Sequence, residues 1–398
     1  MTLGDELTQY PFVRECPFRP APEYARRIRE ERVGPVTTAN GSRVWLIAGY
    51  AESRAVLFDP RFSRDAAAKA RASVGGTQPE PGSLLSRDGL DHVRLRRAVA
   101  PEFTFRRIQQ RRPDIERLTE HFLDEMTAKG NSADLIAEFA RPLPAAVVCE
   151  LIGIPIEERS RFELASDIVF GVVRRKPAEV AQARMVLFDF VREIAEEKKA
   201  RPDQSMFSRL LAKQDVLGQC TEEELVNFGY SLLVMGHQAT AQHLAVGALN
   251  LLRHPRQLAR LRAEPDLMPA AVEELLRHSA HADGALIRVA TEDLELGGVQ
   301  IKEGDLVLPS VVAANRDVTV YADPDELNIE RVSPAPHLTM GYGDHLCLGA
   351  HLARMEIEVA LSRLLERLPG LRLAVPVEEL VWWDGWTRST LRELPITW

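Results

Sequence analysis

The sequence is poor in cysteine and contains no long apolar run. Its cysteines lie far apart and without paired spacing, at Cys16, Cys149, Cys220 and Cys347. This argues against a disulfide framework and favours a reducing, cytoplasmic location. No apolar run approaches the roughly 18 residues that a membrane-spanning helix requires. Residues 1–6 carry acids where a signal peptide would carry lysines, so we expect neither a leader nor a membrane.

Positive charge is also scarce, with 50 lysines and arginines against 58 aspartates and glutamates and a net charge of −8. This balance argues against a nucleic-acid partner. No linker, internal repeat or low-complexity tract divides the 398 residues, so we expect one domain over 1–398. Hydrophobic spacing predicts helices at about 88–280 and 347–368, and β-rich parts at about 33–62, 284–310 and 371–398.

The most informative segment is the loop 340–350. Gly341 and Gly343, separated by one residue, predict a tight turn, and Cys347 follows where a helical pattern begins. Free backbone N–H groups and the positive end of a helix dipole favour a thiolate at such a position. Gly349 would let a flat macrocycle lie close to the chain. The pattern therefore predicts a charged sulfur ligand.

Taken alone, this cysteine has other interpretations. An isolated cysteine is most often a small buried hydrophobe. His345, Cys347 and His351 form half of a zinc pattern, although no second pair with zinc spacing exists in the sequence. A cysteine–histidine nucleophile pair is a third reading. The choice depends on whether further elements of a haem site occur in the right order.

The order Gly-x-Gly-x-His-x-Cys-x-Gly at 341–349 resembles the haem-binding loop of the cytochrome P-450 superfamily. Met340 stands where that family usually has an aromatic residue. The resemblance implies the cytochrome P-450 fold, which is mainly α with a smaller β-rich region (α+β). It also implies haem b (iron protoporphyrin IX) as cofactor, with the Cys347 thiolate as the axial metal ligand and Gly349 beside the haem.

Basic residues elsewhere in the chain match family positions that bind the haem propionates. The sequence His92-x-x-x-Arg96 places both side chains on one face of a predicted helix. Arg288, on a predicted strand, and His345, in the cysteine loop, match in the same way. The resemblance thus implies that His92, Arg96, Arg288 and His345 neutralise the propionates.

A second set of residues matches a structural motif of the family. Glu274-x-x-Arg277 has the spacing of an ion pair on one helix face. Arg331 is its third member, and the tetrad ending in Asn315-Arg316-Asp317 also matches. The implied role of Glu274, Arg277 and Arg331 is to brace the cysteine loop from behind.

A long helix is predicted between these motifs. Thr221 and Glu224 form a capping-box pattern at its start. Without a proline to stop it, the helix should run to about His254 and cross the core.

The centre of this helix resembles the family's oxygen-binding segment, in which a glycine precedes an acid–alcohol pair. Gly236 matches, but Gln238 stands at the acid position and Ala239 at the alcohol position. A glutamine has no titrating proton, and an alanine cannot donate a hydrogen bond. The resemblance therefore implies a catalytic segment, Gly236, His237, Gln238, Ala239 and Thr240, with atypical proton delivery.

Three hypotheses follow for the protons that dioxygen cleavage consumes. In the first hypothesis, the substrate's own hydroxyl or amine orders the delivering water. Alternatively, Thr240, with a one-residue bulge in the helix, or His237 does so. The third hypothesis is a reaction that needs less proton delivery, such as peroxide-driven or one-electron coupling chemistry.

The resemblance also implies where the substrate binds. A helix pair at 162–173 and 180–194, the centre of the long helix, the strand before Arg288 and a C-terminal turn should line the pocket. Ordinary core packing is an equally valid reading of each candidate. The candidates are Phe170, Val173, Leu232, Met235, Ala285, Leu286, Trp386 and Thr387.

Together these matches imply a bacterial-type haem-thiolate monooxygenase. It should hydroxylate or epoxidise a medium-sized natural product, free or tethered to a carrier, using dioxygen. Electrons should come from a ferredoxin and a ferredoxin reductase, because the sequence shows no dinucleotide fingerprint. Two alternatives remain: oxidative C–C or C–O coupling or peroxide-driven chemistry without oxygen insertion, and a non-catalytic haem-binding protein.

Overall fold

The computed structural model of the protein describes residues 7–16, 18–70, 82–171, 175–217, 220–279, 286–384 and 389–398. Helices dominate this part of the chain. They are α1 (Pro22–Glu30), α2 (Tyr50–Phe58), α3 (Arg64–Lys69), α4 (Gly89–Val99), α5 (Phe105–Gln109), α6 (Arg112–Thr127), α7 (Pro142–Ile152), α8 (Ser160–Phe170), α9 (Pro177–Ala200), α10 (Met206–Leu217), α11 (Glu222–Met235), α12 (Gln238–Arg253), α13 (Pro255–Ala263), α14 (Met268–His278), α15 (Val311–Ala314) and α16 (Ala350–Arg367).

The strands are short. They are β1 (Gln9–Tyr10), β2 (Val33–Thr38), β3 (Arg43–Ile47), β4 (Phe62–Ser63), β5 (Ser132–Asp134), β6 (Arg288–Ala290), β7 (Leu294–Leu296), β8 (Val299–Ile301), β9 (Leu306–Pro309), β10 (Arg372–Leu373), β11 (Trp382–Asp384), β12 (Ser389–Leu391) and β13 (Pro395–Thr397). The largest sheet has the order β1-β2-β3-β9-β6-β4. Strands β2 and β3 form a hairpin in register Val36↔Val44, closed at Gly41 with φ 80°.

Three smaller sheets complete the β structure of the described residues. They have the orders β10-β13-β5, β11-β12 and β7-β8. Strand β5 corrects the sequence-based expectation, because it lies inside the part predicted to be helical. It pairs antiparallel with β13, with Ala133 opposite Ile396. A strand of three residues carries too little periodicity to be recognised without that partner.

The helical core surrounds α12. This helix packs against α7, α14 and α16, and its residues from Leu244 to Leu251 are buried. Helix α7 is buried along nearly its whole length. A helix with apolar residues on every side must lie inside the protein, so these two helices form the centre of the domain.

The long helix predicted from Thr221 to about His254 is not continuous. The capping box at its start is present, with the Thr221 hydroxyl accepting from the Glu224 amide at 3.2 Å. The helix is interrupted at Gly236 and His237, and α12 begins at Gln238. The prediction of one unbroken helix was therefore wrong. The break could not be recognised from the sequence, since no proline marks it.

Within the described residues no single helix is long and apolar enough to span a membrane. The segments Ile136–Ile152 and Ile156–Phe170 meet the length and composition test only as a pair, and they are bent by 115°.

Candidate active site

The cysteine loop is held by hydrogen bonds within its own backbone. The Cys347 amide donates to the Met340 carbonyl at 2.8 Å, and the Leu346 amide donates to the Gly343 carbonyl at 3.0 Å. Gly341 and Gly343 have φ values of 75° and 70°, which favour glycine. A Cβ on Gly343 would also lie 2.9 Å from the Leu57 carbonyl oxygen. These glycines therefore fix the turn that precedes the cysteine.

Cys347 lies before the helix and not at its first residue, since α16 begins at Ala350. The side chain is exposed, yet the surrounding protein desolvates it. Burial raises the pKa of the Cys347 thiol, although the Gly349 amide and the Arg96 guanidinium oppose this effect. A side chain that is both deep and accessible borders an open space inside the protein. A bound metal cation would deprotonate such a thiol.

Gly349 leaves room beside the sulfur. A Cβ built on it would meet no described atom within 4 Å. The backbone here can therefore be approached closely, as the flat face of a macrocycle requires.

A cluster of buried basic side chains lies near this loop. The rings of His92 and His345 are 4.3 Å apart, and His345 Nε2 lies 3.1 Å from Asp88 Oδ1. Arg288 is 1% exposed. Within the described residues, His92 Nε2 and Arg288 Nη2 are buried without a hydrogen-bond partner. Arg64, which sequence reasoning missed, is also buried and acts electrostatically on Arg288.

Burial is the largest cause of the pKa shifts in this cluster. Burial lowers the pKa of His92 to about 4, with His345 and Arg96 adding to the effect. Burial, and then Arg64, lowers the pKa of Arg288. Buried cations with unpaired donors require an anionic partner. Two carboxylates, as on a haem, fit this cluster.

Arg96 reaches the loop from α4. Its Nη2 donates to the Leu346 carbonyl at 2.7 Å, directly beside Cys347. The structure therefore brings all four predicted basic residues, His92, Arg96, Arg288 and His345, to the surroundings of the cysteine loop.

Glu274, Arg277 and Arg331 form the predicted network. Arg277 donates to Glu274 through Nε at 2.8 Å and Nη2 at 2.9 Å, and Arg331 Nε lies 3.1 Å from both carboxylate oxygens. Arg277 Nη1 also donates to the Asn315 carbonyl at 2.9 Å. Glu274 and Arg277 are buried, and the Arg331 side chain is 10% exposed.

This network connects to the cysteine loop through helix α14. Glu273, next to Glu274, contacts His337 at 3.3 Å and Arg354 at 2.5 Å. These partners lie on either side of the loop. The Thr339 hydroxyl also donates to the Leu276 carbonyl at 2.8 Å. Helix α14 therefore holds both ends of the loop.

The interruption between α11 and α12 is built around Gly236. A Cβ at this position would lie 2.5 Å from the Leu232 carbonyl oxygen. Ser166 of α8 donates its hydroxyl to the Leu233 carbonyl at 2.7 Å. In a continuous helix that carbonyl would accept from the amide four residues later. A side chain from another helix thus supports the interruption.

The side chains in and before the predicted catalytic segment differ in exposure. Met235 is 42% exposed, Ala239 is exposed and Leu232 is half-buried. Leu232 and Met235 lie at the end of α11, and Ala239 lies in the first turn of α12, so the three residues flank the interruption. Gln238 and Thr240 are buried.

His237 is buried between helices. Its ring meets Phe162 edge-on with centroids 5.7 Å apart, and burial lowers its pKa to about 3. The imidazole is therefore neutral at physiological pH and packs against α8. This position makes it a poor candidate for ordering water beside Ala239.

Gln238 contacts an acid that sequence reasoning missed. Its Nε2 donates a short hydrogen bond to Asp167 Oδ1 on α8, and Arg141 Nη2 lies 2.6 Å from Asp167 Oδ2. Burial raises the pKa of Asp167, with Arg141 and Gln238 opposing the shift. One signal in the sequence could have indicated Asp167. It is an acid that lies between the apolar residues Ala165 and Val169 of α8, both of which are buried.

The predicted pocket residues are only partly described. Phe170 is buried at the end of α8, and Leu286 is half-buried. The candidates Val173, Ala285, Trp386 and Thr387 lie outside the described residues.

Comparison with known proteins decides the family. Residues 30–369 match the family described as cytochrome P-450. The chain belongs to the cytochrome P-450 family. It therefore has a haem-thiolate cofactor and is a monooxygenase, as the sequence predicted. The cytochrome P-450 fold is confirmed as well, because related solved structures superimpose over nearly the whole chain.

Relatives with different reactions resemble this cytochrome P-450 over their full length. The nocardicin C N-oxygenase of Nocardia uniformis subsp. tsuyamanensis is 40% identical, with 100% of both chains covered. The pentalenic acid synthase of Streptomyces avermitilis is 41% identical over 98% of this chain and 97% of that protein. The solved hydroxylase LnmA, from the leinamycin biosynthetic pathway of Streptomyces atroolivaceus S-140, has a TM-score of 0.89 and 36% identity, covering 98% and 100% of the two chains. Bacterial cytochromes P-450 generally take electrons from a ferredoxin and its reductase.

Proposed function

We propose that the protein hydroxylates or epoxidises a medium-sized natural product with dioxygen and ferredoxin-derived electrons. The observation that carries this proposal is the accessible Cys347 sulfur beside a cluster of buried, partly unpaired basic side chains. This pairing of one soft ligand with several carboxylate-binding groups suits haem more closely than a bare metal ion.

Each residue of the site has a distinct task in the proposal. Cys347 would bind the iron through its thiolate, and the Gly349 amide donates to the sulfur. His92, Arg96, Arg288 and His345 would hold the propionates, and Arg64 would add a further positive charge. When bound, the haem supplies the activation of dioxygen. The protein holds the cofactor in one orientation and excludes bulk water from it.

The substrate should bind along the surface beside the interruption that Leu232, Met235 and Ala239 form. These side chains are apolar and small or flexible, which favours a substrate with a largely apolar surface. Relatives named for nocardicin C, pentalenic acid and leinamycin support natural products as the substrate class.

An acidic ferredoxin should dock beside the start of α16. Arg106 and Arg107 of α5 are exposed, and α5 packs against α16. Phe105 is exposed and its ring lies 5.6 Å from that of His351. Positive charge around an exposed aromatic residue suits an acidic protein partner.

A second candidate is oxidative coupling without oxygen insertion. Ala239 favours it, because this exposed position offers no hydroxyl to order a water. Turnover under labelled dioxygen separates the two: label appears in the product of a monooxygenase and is absent from a coupled product.

Ligation by Cys347 is tested by reduction of the purified protein under carbon monoxide. We expect the red-shifted Soret band of thiolate ligation, and its loss in Cys347→Ser. Cys16→Ser is the matched control and should keep the band. A band that survives Cys347→Ser would overturn the ligand assignment.

The substrate class is tested by titrating the ferric protein with fractions of natural-product extract. We expect a low-spin to high-spin shift of the Soret band from at least one fraction. The active compound is then turned over with ferredoxin, its reductase and labelled dioxygen. Binding without any oxidised product would contradict the proposed function.

A further inference from the structure

A small cavity with both polar and apolar lining lies on the flank of α12, beside the interruption of the helix. Its volume is about 50 Å³, which holds roughly three waters because one water needs about 10–15 Å³. Polar side chains from four parts of the chain line it: Arg141, Asp167, Gln238, Gln242, Thr390 and Arg392. A cavity with this lining holds water.

The cavity adjoins the surface proposed for the substrate. Gln238 and Gln242 are one turn apart and both line the cavity. Ala239, which directly follows Gln238, is exposed on the neighbouring face. The cavity and the surface that carries Ala239 therefore lie on adjacent sides of α12. Because Ala239 is small, it leaves space that a bulkier residue would fill.

Asp167 is the titratable carboxyl group in this lining. Gln238 donates to one of its oxygens, and Arg141 lies 2.6 Å from the other. The side chain of Asp167 is 20% exposed, and that of Arg141 is 45% exposed. The carboxyl group therefore has contact with solvent on one side and with the helix interruption on the other.

We propose that Asp167 supplies the carboxyl group that Gln238 lacks, with Gln238 holding it at the helix interruption and the cavity waters connecting it to solvent and to the substrate region. Asp167 is a positioning residue in this scheme, since it acts through water. This inference rests on the proposed function, because it assigns the proton source for dioxygen cleavage.

The proton balance of the reaction defines what Asp167 must do. Insertion of one oxygen atom into a C–H bond consumes one dioxygen, two electrons from ferredoxin and two protons, and releases one water. For each of these two protons, the Asp167 carboxylate takes up a proton from solvent on the Arg141 side and passes it to a cavity water. It ends each cycle in its starting state. A glutamine cannot perform this exchange, but its amide can orient the carboxyl group.

Neighbouring groups set the affinity of Asp167 for its proton. Burial raises the pKa of this carboxyl group, whereas Arg141 and Gln238 lower it. Glu163 lies one turn earlier on α8, and burial raises its pKa too. The groups that face Asp167 are Arg141 from the segment before α7, Glu163 from its own helix, Gln238 from α12 and Arg392 from the segment after β12.

The decisive experiment exchanges the two groups across their contact. Asp167→Asn removes the titrating carboxyl group with little change in shape. The double variant Asp167→Asn with Gln238→Glu restores one carboxyl group and one amide in swapped positions. Asp189→Asn is the control, because it makes the same change at an exposed position of α9, where the carboxylate pairs with Arg192.

Dioxygen uptake is measured with NADPH, ferredoxin and ferredoxin reductase in excess, in water and in deuterium oxide. We expect Asp167→Asn to slow uptake about tenfold and to raise the solvent isotope effect, since positioned acids typically contribute 10²–10⁴-fold and water partly replaces them. The swapped variant should recover most of the rate, and Asp189→Asn should match the parent. Failure of the swap to recover the rate would assign Asp167 a merely structural role.

A readout without turnover keeps this inference separate from the proposed function. Aspartate labelled with carbon-13 at the carboxyl carbon is titrated by NMR in the ferrous carbon-monoxide form. We expect the pKa of Asp167 to exceed the ordinary value and to rise further in Gln238→Leu, which removes a hydrogen-bond donor. A titration unchanged by Gln238→Leu would overturn the proposal. If the thiolate Soret band is absent instead, the proposed function fails on its own.

Discussion

The cysteine loop and the helix interruption are supported in opposite ways. The loop is tied by backbone hydrogen bonds between Met340 and Cys347 and by ion pairs at both of its ends. The interruption depends on two side chains of α8, Ser166 and Asp167, whose partners lie 67 and 71 residues away in sequence. The loop follows the family pattern closely, and the interruption departs from it. The residues of the cysteine loop thus keep the family pattern, while the residues at the interruption are supported by side chains of another helix.

The largest expected effect is on the loop side. Glu274→Ala would leave Arg277 and Arg331 buried without a carboxylate, which costs about 3–5 kcal/mol. Denaturant unfolding followed by the Soret band and by circular dichroism measures the loss. Glu330→Ala is the control, since its ion pair with Arg260 is exposed and such pairs contribute little to stability. Equal losses in the two variants would contradict the difference in burial.

A pair of glycines tests the interruption. Gly236→Ala places a Cβ 2.5 Å from the Leu232 carbonyl oxygen, and we expect a loss of about 1–3 kcal/mol. Gly247→Ala, within α12, meets its nearest atom at 3.5 Å and should gain about 0.5–1 kcal/mol from helix propensity. Melting temperatures of both variants check the opposite signs. Stabilisation by Gly236→Ala would mean that the interruption does not need glycine.

The link between α8 and the interruption is tested at Ser166. Ser166→Ala leaves the buried Leu233 carbonyl without its side-chain donor, which costs about 1–2 kcal/mol. Thr119→Val is the comparison, because the Thr119 hydroxyl donates at 2.7 Å to the Ile115 carbonyl four residues earlier in its own helix. That carbonyl keeps its helical partner, so we expect a smaller loss. A larger loss from Thr119→Val in denaturant unfolding would contradict this reasoning.

The smallest expected effect is the loss of stability at acid pH from the ion pairs that Glu273 makes with His337 and Arg354 at the two ends of the loop. Burial raises the pKa of Glu273, but hydrogen bonds from His337 and Arg354 outweigh it and lower the pKa to about 2. A group whose folded pKa is depressed stabilises the fold above its unfolded pKa of about 4.3 and loses that contribution as the pH falls toward 2.

Solvent screening limits the size of this effect, because the Glu273 side chain is 47% exposed. We expect about 1 kcal/mol of unfolding free energy to disappear between pH 6 and pH 2.5 in the parent protein, beyond the change in Glu273→Gln. Denaturant unfolding at both pH values checks this difference. An equal pH dependence of the unfolding free energy in the parent and in Glu273→Gln would show that these ion pairs do not stabilise the fold.

The sequence by itself determined much of the loop side. Gly341, Gly343 and Cys347 stand a few residues apart, and Glu274 and Arg277 share one helix turn, so spacing alone indicated their partnership. Short-range geometry of this kind follows from the local backbone. The family, fold class and cofactor were predicted from these motifs.

The contacts around the helix interruption were decided only by the tertiary structure. The sequence identified Gln238 and Ala239 as departures from the family pattern, but it predicted one unbroken helix and no nearby acid. Asp167 reaches Gln238 because α8 packs across the interruption, and the buried Arg64 joins Arg288 because separate elements meet there. Such contacts depend on how distant segments pack, and local patterns of hydrophobicity and propensity do not encode which side chains will face each other.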